Sequence, residues 1–316
     1  MKTAVITNIK QTAPETWEDA LSRFVAWRKA QGAAPRTIQG YKEKVSLFFK
    51  RFPFAWSGRC RDSIMLFLSQ EGISPATYNA RLKVLHPFFR FCVYEGVFDR
   101  SPAEGMKYRR EEARIVDHPI SEIKKLLSVI REDTFPGLRD KALFLFSLDT
   151  GTRPGEALQL RPSDIDCRTG KAVIRAAVSK TRIGRNVFFT PATSRAIQQV
   201  ISIRPEEWEK NTPVFCTSYG TPWDSRGWTG QLARYAKRAG LSRFSAYDIR
   251  HLHAIQYLRN GGDVFTLQKG MGHNNLSMTR KYLALSDDDL RIAHEKASPV
   301  LALFSTPRKR LGKIGN

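Results

Sequence analysis

From Thr16 onward the apolar residues fall at helical spacing. Thr16, with Asp19 three residues later, reads as a capping box for a helix that buries Ala20, Leu21, Phe24 and Val25 and stops at Gly32. A second helix is predicted to open near Pro35 and Thr37, with Ile38, Tyr41, Val45 and Phe48 on one face. Another opens at Ser74 and Pro75 and carries Tyr78, Leu82, Leu85 and Phe89, with a kink expected at Pro87. These two share an offset of 40 residues, which superimposes Pro35 on Pro75, Thr37 on Thr77, Phe48 on Phe88 and Phe49 on Phe89. Two copies do not make a solenoid, and similar helix starts explain the match as well as duplication would.

Residues 101–121 are polar, charged and bounded by Pro102 and Pro119, the pattern of an interdomain linker. Beyond it Ser121 starts a helix with Ile123, Leu126, Leu127 and Ile130 on its apolar side, followed by the strongly apolar KALFLFSLDTG, 141–151. The pattern then changes. KAVIRAA and RNVFF are short β-prone runs on either side of SKTRIG, a hairpin expected to turn at Gly184. Helical spacing returns at 192–203, 226–239, 247–260 and 276–284. A chain of 316 residues is comfortable as two domains, each with its own core. The expected fold is mainly α, with a helical N-terminal domain and a second, mostly helical domain built around a small antiparallel sheet.

Charge narrows the range of partners. The sequence has 52 Lys plus Arg against 30 Asp plus Glu, a net +22. The surplus is +10 through residue 110 and +12 after it, so both halves are basic. A polyanion touching both domains would profit, and nucleic acid is the commonest such partner. Lys107, Arg109 and Arg110 in the linker could track a phosphate backbone. Cys60, Cys92, Cys167 and Cys216 lie far apart with no CxxC spacing, so they read as reduced and mostly buried. No apolar run is long enough to cross a membrane and the first residues do not form a convincing signal peptide, so the expected location is the cytoplasm.

GxxxxGK[ST], HExxH and GxSxG motifs are all missing from the sequence. His251 and His253 are two apart, which points them to different sides of a helix, so neither a metal nor a cofactor is expected. Asp287, Asp288 and Asp289 follow Ser286 and read as the acidic first turn of a helix. The remaining candidates are in separated places. Arg153 stands between a helix stop at Gly151 and a helix start at Pro154, a junction that places a side chain beside free backbone amides and suits phosphate. Lys180 lies at the hairpin tip, Arg250 in SAYDIRHLHAIQYL, and His273 and Tyr282 in MGHNNLSMTRKYL. In one unbroken helix His273 and Tyr282 would face opposite sides, so a break is expected at Asn274 and Asn275, with a helix restarting at Leu276.

Taken together and in this order, these segments resemble the tyrosine recombinases, also called phage integrases, over roughly residues 15–300. TGTRPGEALQL is similar to the family's first arginine box, RPSDID to its continuation, and GGDVFTLQKGMGHNNLSMTRKYL to its Gly-His to tyrosine box. The resemblance implies a tail (1–14), a helical core-binding, SAM-like domain (15–105), a linker (106–118), an α+β catalytic domain (119–300) and a basic tail (301–316). It implies that Tyr282 attacks a DNA phosphodiester to form a 3′-phosphotyrosyl link, without metal or nucleotide. Arg153 and Arg250 would clamp the nonbridging oxygens, Lys180 would protonate the leaving oxygen, and His273 would bind the phosphate. Glu156 would orient Arg153, and a cationic pocket would make the Tyr282 phenolate less costly.

One position departs from the family pattern. Its second arginine box usually reads HxxR, and here Tyr247 stands three residues before Arg250. Tyr247 can donate a hydrogen bond but has no positive form. It is read as a functional substitution, and His251 as a residue that braces the helix. The expected partners are double-stranded DNA, a second protomer on each site, a tetramer in the synapse, and accessory DNA-bending or directionality proteins. The apolar SPVLALF, 298–304, would pack on its own domain or on a neighbour, and RKR at 308–310 would be a solvated tail. A DNA-binding regulator with vestigial boxes and a type IB topoisomerase are the alternatives. A mobile element is the expected origin.

Overall fold

The computed structural model describes residues 12–56, 58–111, 118–280, 282, 291, 294–295 and 298–303. The chain divides into two compact units, Met1–Glu112 and Ala113–Asn316.

The first unit contains α1 (Trp17–Ala30), α2 (Pro35–Arg51), α3 (Cys60–Leu68) and α4 (Pro75–Tyr94). Their starts follow local chemistry. Thr16 Oγ1 accepts from the Asp19 amide at 3.2 Å and Ser74 Oγ from the Thr77 amide at 3.2 Å. Pro35 and Pro75 begin their helices at the position where a missing N–H costs nothing. Helix α4 continues through Pro87. Helix α3 has no counterpart in the sequence reading, because Ile64 to Leu68 is an unbroken apolar run that hides its period; Ile64 and Phe67 are buried while Met65 and Leu66 are exposed. The core is aromatic. Phe48 and Phe49 of α2 meet Phe89 of α4 at 6.1 and 6.3 Å, so one pair related by the 40-residue offset, Phe49 and Phe89, packs ring against ring. Cys60 and Cys92 are free thiols in this core, and burial pushes the Cys60 thiol up to about 12, which keeps it protonated and inert.

The second unit opens with α5 (Ile120–Ser128), α6 (Phe135–Thr150) and the short α7 (Pro154–Ala157). Strands β1 (Ile165–Asp166), β2 (Lys171–Ile174) and β3 (Arg185–Phe188) form an antiparallel sheet in that order. The pairing puts Ala172 opposite Val187 and Ile174 opposite Arg185. Ala172, Ile174 and Val187 face the core while Val173 and Phe188 are exposed, the alternation of a half-buried sheet. The hairpin connection contains Gly184, as expected. Its left-handed residue is Arg182, with φ +56°, and Gly184 instead sits where a Cβ would approach the Ile174 carbonyl oxygen to 3.3 Å.

Four longer segments complete the unit: α8 (Pro191–Ser202), α9 (Ser225–Arg238), α10 (Ala246–Arg259) and α11 (Val264–Met271). Helix α6 lies at the centre, packed by α8 and α10. A buried polar network ties it to α9: Arg139 donates to Asp140 at 2.9 Å, and the Tyr235 hydroxyl donates to the other Asp140 oxygen at 2.8 Å. Helix α11 ends at Gly272, whose φ of +63° turns the chain before Asn274 and Asn275 are reached. The expected break therefore exists but is made by glycine, which reaches the left-handed region without a Cβ penalty. The four-residue α12 (Ser277–Arg280) follows, and Val300–Leu303 forms one further helical turn with Val300 and Leu303 exposed. Asp287 to Asp289 and the RKR tail lie outside the described residues.

Candidate active site

The site begins where α6 ends. Gly151 adopts φ +60°, and a Cβ there would lie 2.3 Å from the His253 ring, so the position requires glycine on two counts. The turn delivers Arg153 to the start of α7. Its Nη1 donates to Glu156 Oε1 at 3.0 Å and its Nη2 to the Gly272 carbonyl oxygen at 2.9 Å. Glu156 is buried, and its second oxygen accepts from Arg185 Nη2 at 2.7 Å. Burial pushes the Glu156 carboxyl up, but Arg185 and then Arg153 outweigh it and hold the group below the usual carboxylate range.

Arg250 comes from the middle of α10 and is buried. Its Nη1 donates to the Gly151 carbonyl and its Nη2 to the Met271 carbonyl at 3.0 Å. The two arginines thus hang from consecutive carbonyl oxygens at 271 and 272. Burial, and next the charge of Arg153, pushes Arg250 down to about 10, a value that still leaves it cationic at neutral pH. Arg250 Nη2 also lies 2.7 Å from His273 Nε2. A guanidinium can only donate, so Nε2 accepts and the ring proton sits on Nδ1, facing Thr279 Oγ1 at 2.9 Å.

Tyr282 packs with Ala254, Ile255, Leu267 and Met271 and is 8% exposed. Its hydroxyl lies 2.6 Å from His251 Nδ1. The phenol differs from expectation: burial pushes it up to about 12, and the opposing pull of Arg250 does not overcome the loss of water. His251, read from sequence as a helix brace, thus touches the hydroxyl of the candidate nucleophile.

Arg153, Glu156, Arg250, His251, His273 and Tyr282 are linked through these contacts. Tyr247 is 56% exposed and Lys180 is exposed, and neither side chain hydrogen-bonds to the others among the described residues. Lys107, Arg109 and Arg110 are exposed in the first unit. Asn79 of α4 holds that run by its amide, donating to the Arg109 carbonyl at 2.8 Å and accepting from the Arg109 amide at 2.9 Å, and the Arg109 guanidinium lies 4.1 Å over the Tyr78 ring.

Sequence reasoning missed Arg185. Its Nε donates to the Gly270 carbonyl at 2.8 Å, its Nη2 holds Glu156, and its Nη1 is buried with no hydrogen-bond partner among the described residues. A Cβ on Gly272 would lie 3.1 Å from this guanidinium. Nothing local distinguishes Arg185 among 52 basic residues; the only signal is its place as the first residue of a β-prone run.

Comparison with known proteins identifies the family. The tyrosine recombinase XerC of Lactobacillus delbrueckii subsp. bulgaricus is 23% identical over 292 residues, covering 88% of this chain and 98% of the relative. Among solved structures, the Tn1549 transposon integrase in complex with a circular intermediate DNA matches with TM-score 0.68 at 18% identity, covering 87% of this chain and 99% of that one. A λ integrase tetramer bound to a Holliday junction matches with TM-score 0.65 at 18% identity, over 85% of this chain and 80% of that one. The model of the phage integrase family matches residues 119–289, the segment that carries every contact of the candidate active site, and the chain belongs to that family.

Proposed function

We propose that Tyr282 is the nucleophile of a DNA strand-exchange reaction in which Arg153 and Arg250 bind the scissile phosphate. The chain is a tyrosine-type site-specific recombinase. The observation that supports these residue roles is the anchoring of Arg153 on the Gly272 carbonyl and Arg250 on the Met271 carbonyl, within the unit where Tyr282 packs on Met271.

The phenol oxygen attacks phosphorus, a Tyr282–phosphate bond forms, and the bond to the 5′-oxygen breaks. Negative charge on the nonbridging oxygens is met by two guanidinium groups, whose positions are fixed before substrate arrives. His273, whose Nε2 accepts from Arg250, supports phosphate binding by steadying that guanidinium, and Lys180, on the exposed hairpin, gives a proton to the leaving 5′-oxygen. Glu156 holds Arg153 in orientation. Since one phosphate ester is exchanged for another, religation to a second strand uses the same groups in reverse. Lys107, Arg109 and Arg110 contribute phosphate contacts from the first unit.

The net charge of +22 and the DNA-bound relatives support duplex DNA as substrate, with two protomers on a site and four in the synapse. One structural neighbour is a transposon integrase, which favours a mobile element as the source; accessory DNA-bending or directionality proteins and action in the cytoplasm are part of the same proposal. Among the described residues no helix is long and apolar enough to cross a membrane.

The test is covalent capture. Wild-type protein incubated with a library of nicked duplexes of randomised sequence should yield detergent-resistant protein–DNA complexes, and Tyr282→Phe should yield none. Arg153→Ala and Arg250→Ala should each slow capture by about 10²- to 10³-fold. Equal capture by wild type and Tyr282→Phe overturns the assignment. Relaxation of supercoiled DNA that lacks any captured sequence would favour the topoisomerase alternative.

A further inference from the structure

We infer that His251 is the general base that takes the phenol proton of Tyr282, replacing the histidine that the HxxR position lacks in this chain. The inference rests on Tyr282 being the nucleophile.

Three observations support it. His251 Nδ1 lies 2.6 Å from the Tyr282 hydroxyl, within the reach a proton acceptor needs. Tyr247 and His251 are four residues apart on α10, so they share a face one turn apart. An imidazole moved from position 247 to 251 therefore stays on the same side of the helix. Tyr247 itself is 56% exposed and makes no side-chain hydrogen bond among the described residues, so it has no hold on the nucleophile.

The chemistry of the pocket calls for a base. Tyr282 is buried among Ala254, Ile255, Leu267 and Met271, where an unassisted phenolate is costly. Burial raises its proton affinity, and Arg250 alone does not reverse this. His273 is occupied elsewhere, since its Nε2 accepts from Arg250 and its Nδ1 faces Thr279. With its own proton on Nε2, His251 presents a lone pair at Nδ1 to the phenol.

The step balances. The phenol O–H bond breaks and its proton passes to His251 Nδ1, the phenol oxygen bonds to phosphorus, and the phosphorus–O5′ bond breaks. The leaving oxygen takes a proton from Lys180, and religation returns the first proton from the imidazolium to Tyr282.

The experiment measures single-turnover cleavage on a duplex recovered by covalent capture of the wild-type protein. His251→Gln keeps volume and a hydrogen bond to the phenol but cannot take its proton. His251→Ala opens a space that free imidazole can fill. Both are expected to bind the duplex as wild type does and to cleave about 10²- to 10⁴-fold more slowly. Added imidazole should restore His251→Ala at least in part. A bridging 5′-phosphorothiolate, whose leaving group needs no proton, should rescue Lys180→Ala and neither His251 variant. Cleavage by His251→Gln close to wild type, or rescue of the His251 variants by the thiolate, overturns the inference. Absence of any covalent complex with wild-type protein would instead overturn the role of Tyr282.

Discussion

Arg185 shows how much of the candidate site depends on a residue outside the proposed reacting set. It joins Glu156 to the Gly270 carbonyl and so holds both the carboxylate that orients Arg153 and the chain that leads into Gly272. Arg185→Ala leaves a buried carboxylate with one guanidinium instead of two. Removing one partner of a buried pair costs about 3–5 kcal/mol, and a loss of that order is expected in urea unfolding, with slower cleavage alongside. Glu156 also gives the protein an acid sensitivity. Its carboxyl is held below its ordinary value in the folded state, so the stabilisation is complete above the unfolded carboxylate pKa, about 4.3, and is lost as pH falls through the lower folded value. Wild-type stability should therefore drop more steeply below about pH 4 than that of Glu156→Gln, as thermal melts across that range would reveal. At this scale the sequence was legible where the chemistry is local. Arg153 between Gly151 and Pro154, with Glu156 three residues on, announces its junction in a single string. The bond from Arg153 to Gly272 spans 119 residues and that from Arg185 to Glu156 spans 29, and no local pattern carries either.

At the scale of elements, helix boundaries are set by few atoms. Gly151 ends α6 and offers its carbonyl to Arg250, so its conformation fixes an anchor for that guanidinium as well as a helix terminus. Gly151→Ala must place a non-glycine residue in the left-handed region, at about 1–2 kcal/mol, and must also displace the His253 ring. A total loss above that range is expected by chemical denaturation, with cleavage falling by more than the loss of folded protein explains. Ser74→Ala, which removes the cap of α4, should cost about 1 kcal/mol and leave cleavage chemistry unchanged. The helices with caps and separated apolar positions could be read from sequence. Helix α3 could not, because its apolar residues are consecutive, and β1, a two-residue strand, exists only through its pairing with β2.

At the scale of the whole molecule, charge is spread over both units, and DNA affinity should fall steeply with salt. Replacing Lys107, Arg109 and Arg110 together by Ala should weaken binding to all sequences alike and reduce the log–log salt slope by as much as about 2.7, with no more than the small loss of stability, about 0.5–1 kcal/mol, that the Arg109–Tyr78 contact supplies. Binding titrations at several ionic strengths measure this directly. A slope unchanged from wild type would place the three residues away from the phosphate path.

The attachment of Arg153 and Arg250 to main-chain oxygens at 271 and 272 has an evolutionary corollary. Every residue type carries a carbonyl, so drift in side-chain identity along this loop cannot by itself strip the mounts from which the two cations hang. Only a change in the route of the backbone can, and that burden falls on Gly272, whose left-handed turn sets the route. Divergent homologues should therefore vary freely in the apolar residue that fills position 271 while keeping a residue able to turn the chain at 272.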